Sequence, residues 1–219
     1  MIGPAGDSAE AARVPRRAIL AGGAALLYSA RLRAEDGAEV LEAIARARAP
    51  VRTLRGPFTQ VRTIGLLVAD IRSRGTLSLL RPDRLRWQLE PPDDVTFWVG
   101  PEGLAYRSAH DQGRAGPASP RIASALDDIR TVLGGDLSRL RERWRLVVLR
   151  HDATGAELQA EAREAPAGVP RSMSFALAAD LVRPTRVTLV VGARDRTVID
   201  FGELAINAPI DEASMRPPS

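Results

Sequence analysis

Cysteine is absent from the 219 residues, and so is lysine. Without cysteine there is no structural disulfide, no thiolate metal site and no lipid-modified N-terminal cysteine. All 31 basic residues are therefore arginine, and 27 acidic residues leave a net charge of only +4. A nucleic-acid binder concentrates its charge in a stripe with interleaved aromatics. Here arginine is scattered from Arg13 to Arg216, so no nucleic-acid partner is expected. Aromatics make up 4% of the chain, which makes each one worth placing individually.

Catalytic patterns are missing too. The two histidines, His110 and His151, lie in or beside polar stretches and read as solvent-facing. No Gly-x-Ser-x-Gly elbow, His-Glu-x-x-His helix or Gly-x-x-x-x-Gly-Lys loop occurs. Asp93-Asp94 and Asp127-Asp128 are adjacent pairs, and adjacent side chains do not converge on one point. They read as solvation or capping groups, and Asp195 as a turn residue. The expectation is a non-enzyme with no catalytic residue, no metal site and no cofactor.

What is present suits a globular domain: 45% apolar and 26% charged residues suffice for a core. Residues 1–34 read as an export signal. Arg16-Arg17 precedes the apolar run from Ala18 to Leu27, with Ser29 and Ala30 beyond it. That run is shorter than the about 20 residues of a membrane-spanning helix. The paired arginines resemble a twin-arginine signal, and a general secretory signal is the alternative. Cleavage after Ala30 or after Ala34 fits equally. A buried Ala-rich helix is the purely structural reading, and Gly22-Gly23 count against it. The expected domain is 35–219, and the expected location is the periplasm.

Within that domain Asp36 and Glu39 have the form of a capping box, followed by an apolar face at Val40, Leu41, Ile44 and Ala45 and closed by Pro50. From Gly56 the period becomes two. Leu85, Trp87 and Leu89 alternate with polar residues, as do Val95, Phe97 and Val99 with Thr96 and Trp98. Leu77 and Leu79 share one face of the strand before them. Pro91 to Asp94 and Gly100 to Gly103 are turns. Residues 110–120 read as a loop, and Ile122, Leu126, Ile129 and Leu133 as a helix stopped by Gly134-Gly135. Alternation resumes at Trp144, Leu146 and Val148, then at Met173, Phe175 and Leu177, then over 187–191 and 197–206. The tail from Met215 reads as poorly ordered. This is an α+β layout: a meander of about ten strands, too many for one flat sheet, curled into an incomplete antiparallel β-barrel covered by helices.

The stretch from Gly56 to Trp87 also resembles the LolA-type periplasmic lipoprotein carriers, and the similarity extends over most of 36–218. It rests on a leading helix running into Phe58-Thr-Gln60, and on Gly75-Thr-Leu followed by Arg81-Pro82-Asp83 and Trp87. The Pro91-Pro92 turn, Tyr106 and the closing Asn207-Ala-Pro-Ile-Asp211 complete it. The resemblance implies a monomeric shuttle that takes acylated lipoprotein from an inner-membrane exporter to an outer-membrane acceptor. It implies that Arg81 hydrogen-bonds to backbone of the helical lid and gates the cavity. The cavity lining it implies is Leu77, Leu79, Leu85, Trp87, Leu89, Phe97 and Val99, with Ile122 and Leu126 from the lid. Each of these fits plain core packing as well, and about half are expected to be core. Leu85 and the region of Met215 depart from the aromatics common in the family, which leaves the cargo more open than the fold. Another envelope lipid or glycolipid, or a lipid-sensing regulatory module, are the competing readings.

Overall fold

The computed structural model describes residues 37–65, 69–108, 112–114, 120–134, 137–166 and 168–218. Residues 1–34, read above as an export signal, and Asp36, His110 and Gly135 lie outside the described residues. Two compact units, Met1–Ala38 and Glu39–Ser219, divide the chain, and apart from the first two residues of the leading helix the second carries all that follows.

A first helix, α1, covers residues 37–48, and its Val40 and Ile44, four apart, enter the core. The strands are β1 (Thr53–Thr63), β2 (Ile71–Leu80), β3 (Arg84–Leu89), β4 (Val95–Gly100), β5 (Gly103–Ser108) and β6 (Gln112–Arg114). Helices α2 (Pro120–Gly134) and α3 (Leu137–Arg143) follow, with Pro120 at the helix start where a missing N–H does no harm. Then come β7 (Trp144–Asp152), β8 (Gly155–Ala162), β9 (Ser172–Ala178), β10 (Pro184–Val190), β11 (Arg196–Phe201) and β12 (Ala205–Ile206). The strand order is β6-β5-β4-β3-β2-β1-β11-β10-β9-β8-β7, antiparallel throughout. Two meanders thus meet at the β1–β11 pair. The outermost strands, β6 and β7, are joined by two helices instead of by pairing, so the barrel stays open.

The open sheet of about ten strands is as expected, and the described residues divide it into twelve segments for two local reasons. Gln112–Arg114 pairs with β5 inside what the sequence reads as a loop. The single strand expected over 197–206 is broken into β11 and β12. Opposite the break, Gly56 and Pro57 of β1 face Gly202, Glu203 and Leu204, a one-residue bulge between the pairs Phe58↔Phe201 and Arg55↔Ala205. Pro57 has no N–H for a ladder bond, and its carbonyl instead accepts from the N–H of Gly202. Gly56 permits the approach, since a Cβ there would sit 2.5 Å from the Glu203 carbonyl oxygen.

Alternation puts one face of each strand inward. Leu54, Leu79, Leu85, Val99 and Leu104 are successive Cα partners across β1 to β5 and form one buried row. Helix α2 lies across the concave face, touching β2 and β4 on one side and β10 on the other. Its Leu126, Ile129, Val132 and Leu133 are buried beneath it.

The tail is docked, contrary to the expectation of disorder from Met215. Trp98 alternates to the outer face of β4, where its Nε1–H donates to the Ser214 carbonyl at 3.0 Å. A 3₁₀ turn, Glu212–Met215, is capped by Asp211 and buries Met215 there. An outward Trp needs a cover for its ring and a partner for its N–H, and the tail supplies both.

Candidate ligand-binding site

The corner Arg81-Pro82-Asp83 between β2 and β3 is where both covering helices are fastened. Arg81 Nη1 donates to the carbonyls of Arg48, at the end of α1, and of Val51, the latter at 3.1 Å. Carbonyls at a helix C-terminus lack intrahelical partners, so a guanidinium there both bonds and complements the dipole. Arg130 of α2 donates to the Asp83 carbonyl at 3.2 Å, and its other contact is Asp127 at 2.6 Å. The last residue of α2, Gly134, packs against β2: a Cβ there would fall 2.3 Å from Leu79 Cδ2 and 3.7 Å from the Arg81 stem. Arg81 therefore bonds to the leading helix and only packs beside the end of α2, whereas the resemblance implies bonds to the lid.

Arg48 is itself 2% exposed, and none of its side-chain nitrogens has a hydrogen-bond partner among the described residues. Burial, and after it the charge of Arg81, push its pKa down to about 10 against the pull of Asp180. It stays cationic at neutral pH. Two like charges thus share the fastened corner, which weakens the net hold of the Arg81 contact.

A second polar anchor lies on the far side of α2. Asp128, read from the sequence as a solvation or capping group, is buried at 1% exposure. Trp144 Nε1 donates to it at 3.1 Å, and Arg143 pairs with it at 3.2 Å. Its neighbour Asp127 points about 100° away around the helix, which explains why one of the pair is wet and the other dry. Burial pushes the Asp128 carboxyl up to about 6, with Arg143 and the Trp144 bond opposing.

Beneath Ile122 to Ile129 of α2 the concave face is hollow. A cavity of about 760 Å³ opens between α2, β1 and the β10–β11 hairpin. That volume falls within the roughly 300–1,000 Å³ of small-molecule sites. Trp87, Leu89, Phe97, Ile122 and Leu126, all named from the sequence, line it. Leu77, Leu79, Leu85 and Val99 do not; they are buried in the packed core at the fastened end. Ile129, Leu189, Val191 and Ile199 add to the apolar wall, with Gln60, Arg62, Arg194 and Arg196 among its polar residues.

The boundary between packed and hollow is aromatic. Phe58 stacks on Trp87 with ring centroids 3.7 Å apart, and Phe201 meets Trp87 edge-on at 6.4 Å. Gly75 lies beneath the Phe58 ring, where a Cβ would come within 2.8 Å of Phe58 Cζ and 2.0 Å of the Gln88 carbonyl. Sequence reasoning missed the β1 and β10–β11 wall. The alternations Phe58/Gln60/Arg62 and Leu189/Val191 were legible, but their meeting across β1 and β11 joins segments over 120 residues apart. Among the described residues no cluster of three or more His, Cys, Asp or Glu could hold a metal. Nor is any described helix long and apolar enough to cross a membrane. His151 is exposed.

An open antiparallel half-barrel with an apolar cavity under a helix is the class that fold and site define. More narrowly, this is a divergent LolA-like fold. It is similar to a putative outer membrane lipoprotein-sorting protein domain from Vibrio parahaemolyticus, at 10% identity and a TM-score of 0.50, over 83% of this chain and 97% of that one. MucB matches at 14% identity and a TM-score of 0.52, over 84% of this chain and 64% of that one. A LolA superfamily protein from Nitrosomonas europaea matches at 11% identity and 0.47, over 83% and 97%. At such identities the likeness is one of fold. No protein-family model matches the chain, and neither does any curated protein.

Proposed function

We propose that this protein is a periplasmic carrier that binds the acyl chains of lipoproteins and shuttles them from the inner to the outer membrane, without catalysis of its own. The observation that carries the proposal is the apolar cavity of about 760 Å³ between α2 and the open end of the sheet. Each acyl methylene buried there contributes about 0.8 kcal/mol, so a few chains hold firmly without any covalent step. Release then needs a movable cover, and the Arg81 contact with the end of α1 is the candidate fastening. The LolA-like fold supports the same assignment, which takes residues 1–34 as an export signal, an inner-membrane exporter and an outer-membrane acceptor as partners, and the protein as a monomer. A second reading within transport, carriage of another envelope lipid or glycolipid, draws support from the basic residues in the cavity lining.

The deciding experiment is native mass spectrometry of the protein recovered from its own envelope. Acylated lipoprotein in the bound fraction is the expected result. A free lipid instead would favour the second reading, and recovery without any apolar ligand would sink both.

A further inference from the structure

We propose that the mouth of the cavity selects a ligand whose polar end is anionic, so that the cargo is an acyl lipid with a negatively charged headgroup. This rests on the second carrier reading above, carriage of an envelope lipid, and names the class of lipid. Three arginines border the cavity. Arg62 near the end of β1 and Arg194 in the β10–β11 hairpin stand at its mouth. Arg196 at the start of β11, the Cα partner of Thr63, alternates to the face opposite Arg62 and borders the cavity from the strand end. Arg62 follows Phe58 and Gln60 at a spacing of two, which puts it on the concave face at the outer end of the strand. All three are exposed, and none makes an ion pair or side-chain hydrogen bond with another described residue.

The one acidic residue of the described lining, Asp195, offsets one of these positive charges and leaves the rim with a positive excess. Asp195 accepts the backbone N–H of Gly65 at 2.8 Å and so ties the hairpin to the end of β1. Gly65 lies directly against Arg194, since a Cβ there would come within 2.6 Å of Arg194 Cβ. Asp195 thus holds Arg194 at the rim. Helix α2 adds to the same sign: Ile122, in its first turn, lines the cavity, and that turn contains no acidic residue. The positive end of the helix dipole is therefore uncompensated by its own side chains at this rim.

The geometry suits a two-part ligand. Apolar walls at Trp87, Leu126 and Ile199 take the chains, while the arginines stand where the polar end must emerge. Guanidinium groups pair with phosphate or carboxylate through paired donors, and being weakly hydrated they give up water readily at such a mouth. A neutral diacylglycerol would fill the walls and leave the rim unanswered.

The test offers the purified protein an equimolar mixture of dioleoylphosphatidylglycerol, dioleoylphosphatidylcholine and dioleoylglycerol from neutral detergent, read by native mass spectrometry at low salt. The anionic lipid is expected to exceed dioleoylglycerol by about tenfold, the equivalent of one charge-assisted hydrogen bond. That preference should shrink in 0.5 M NaCl, as expected of exposed charges. The R62Q/R194Q/R196Q variant should keep dioleoylglycerol binding and lose the preference. Equal binding of the three lipids by the parent protein overturns the inference alone, whereas no binding of any lipid overturns the carrier reading and the inference with it. Inorganic phosphate is titrated separately, and saturable phosphate binding without a lipid preference overturns the headgroup assignment in favour of a free anion.

Discussion

The two ends of the concave face are built from the same alternation and come out differently. At the fastened end, Leu54, Leu79, Leu85, Val99 and Leu104 form a continuous row, with α1 and the end of α2 drawn down on it by Arg81, Arg130 and Gly134. At the mouth, Leu89, Ile122, Leu189 and Ile199 are as apolar, yet they face a cavity. Residue type does not distinguish the ends. What does is whether a helix is pinned close enough for its side chains to interdigitate with the sheet. A cover held at one end by arginine-to-carbonyl hydrogen bonds, and on its far side by the Asp128 anchor, leaves room where it is not pinned.

The largest expected effect tests the packed end. Leu85→Ala removes a fully buried side chain and should cost about 2–5 kcal/mol in urea unfolding, while lipid bound per folded molecule stays the same. A cost below about 1 kcal/mol would mean that this end is not packed as described.

Next comes the anchor on the far side of α2. The folded Asp128 carboxyl titrates near 6, above its ordinary value of 3.8. The stabilising effect of its proton is therefore complete below about pH 4 and lost as pH rises through about 6. The shift corresponds to about 3 kcal/mol of differential interaction. Asp128→Asn keeps an acceptor for Trp144 without the charge. It should be more stable than the parent at pH 7.5, with the advantage gone at pH 4. Parallel stability curves for the two proteins would refute that.

Arg81→Leu loosens the fastened end without hollowing it. If the clamp competes with the ligand-bound state, its loss should slow dissociation of a fluorescent fatty acid by about tenfold, or about 1.4 kcal/mol. Stopped-flow displacement measures this, and an unchanged off-rate would separate Arg81 from release. The smallest change in stability belongs to the mouth. Ile122 is 45% exposed, so Ile122→Ala should shift unfolding by no more than about 0.5 kcal/mol. Acyl affinity should nevertheless fall severalfold, giving a binding defect with little stability defect, the reverse of Leu85→Ala.

Much of this was legible in the residues. Strict alternation at Leu85/Trp87/Leu89 and at Val95/Phe97/Val99 marked one-sided strands, and the spacing of Ile122, Leu126, Ile129 and Leu133 marked the helix that lies over them. Gly75 was visible as a strand glycine, although its reason, the Phe58 ring crossing above it, was not. Asp128 was misread because an adjacent acidic pair looks uniform in sequence, while a helix turns the two carboxylates to different surroundings. The tail was misread because Trp98, which holds it, lies more than 110 residues away.

By itself the sequence determined the open sheet, its inward face and the helix over it, because periods of two and 3.6 assign faces whatever the neighbours are. Only the tertiary structure decided which inward residues pack and which surround a cavity. It also brought the arginines of β1 and of the β10–β11 hairpin to one rim. Both depend on long-range pairing and on where the helices are pinned, and no local pattern encodes those distances.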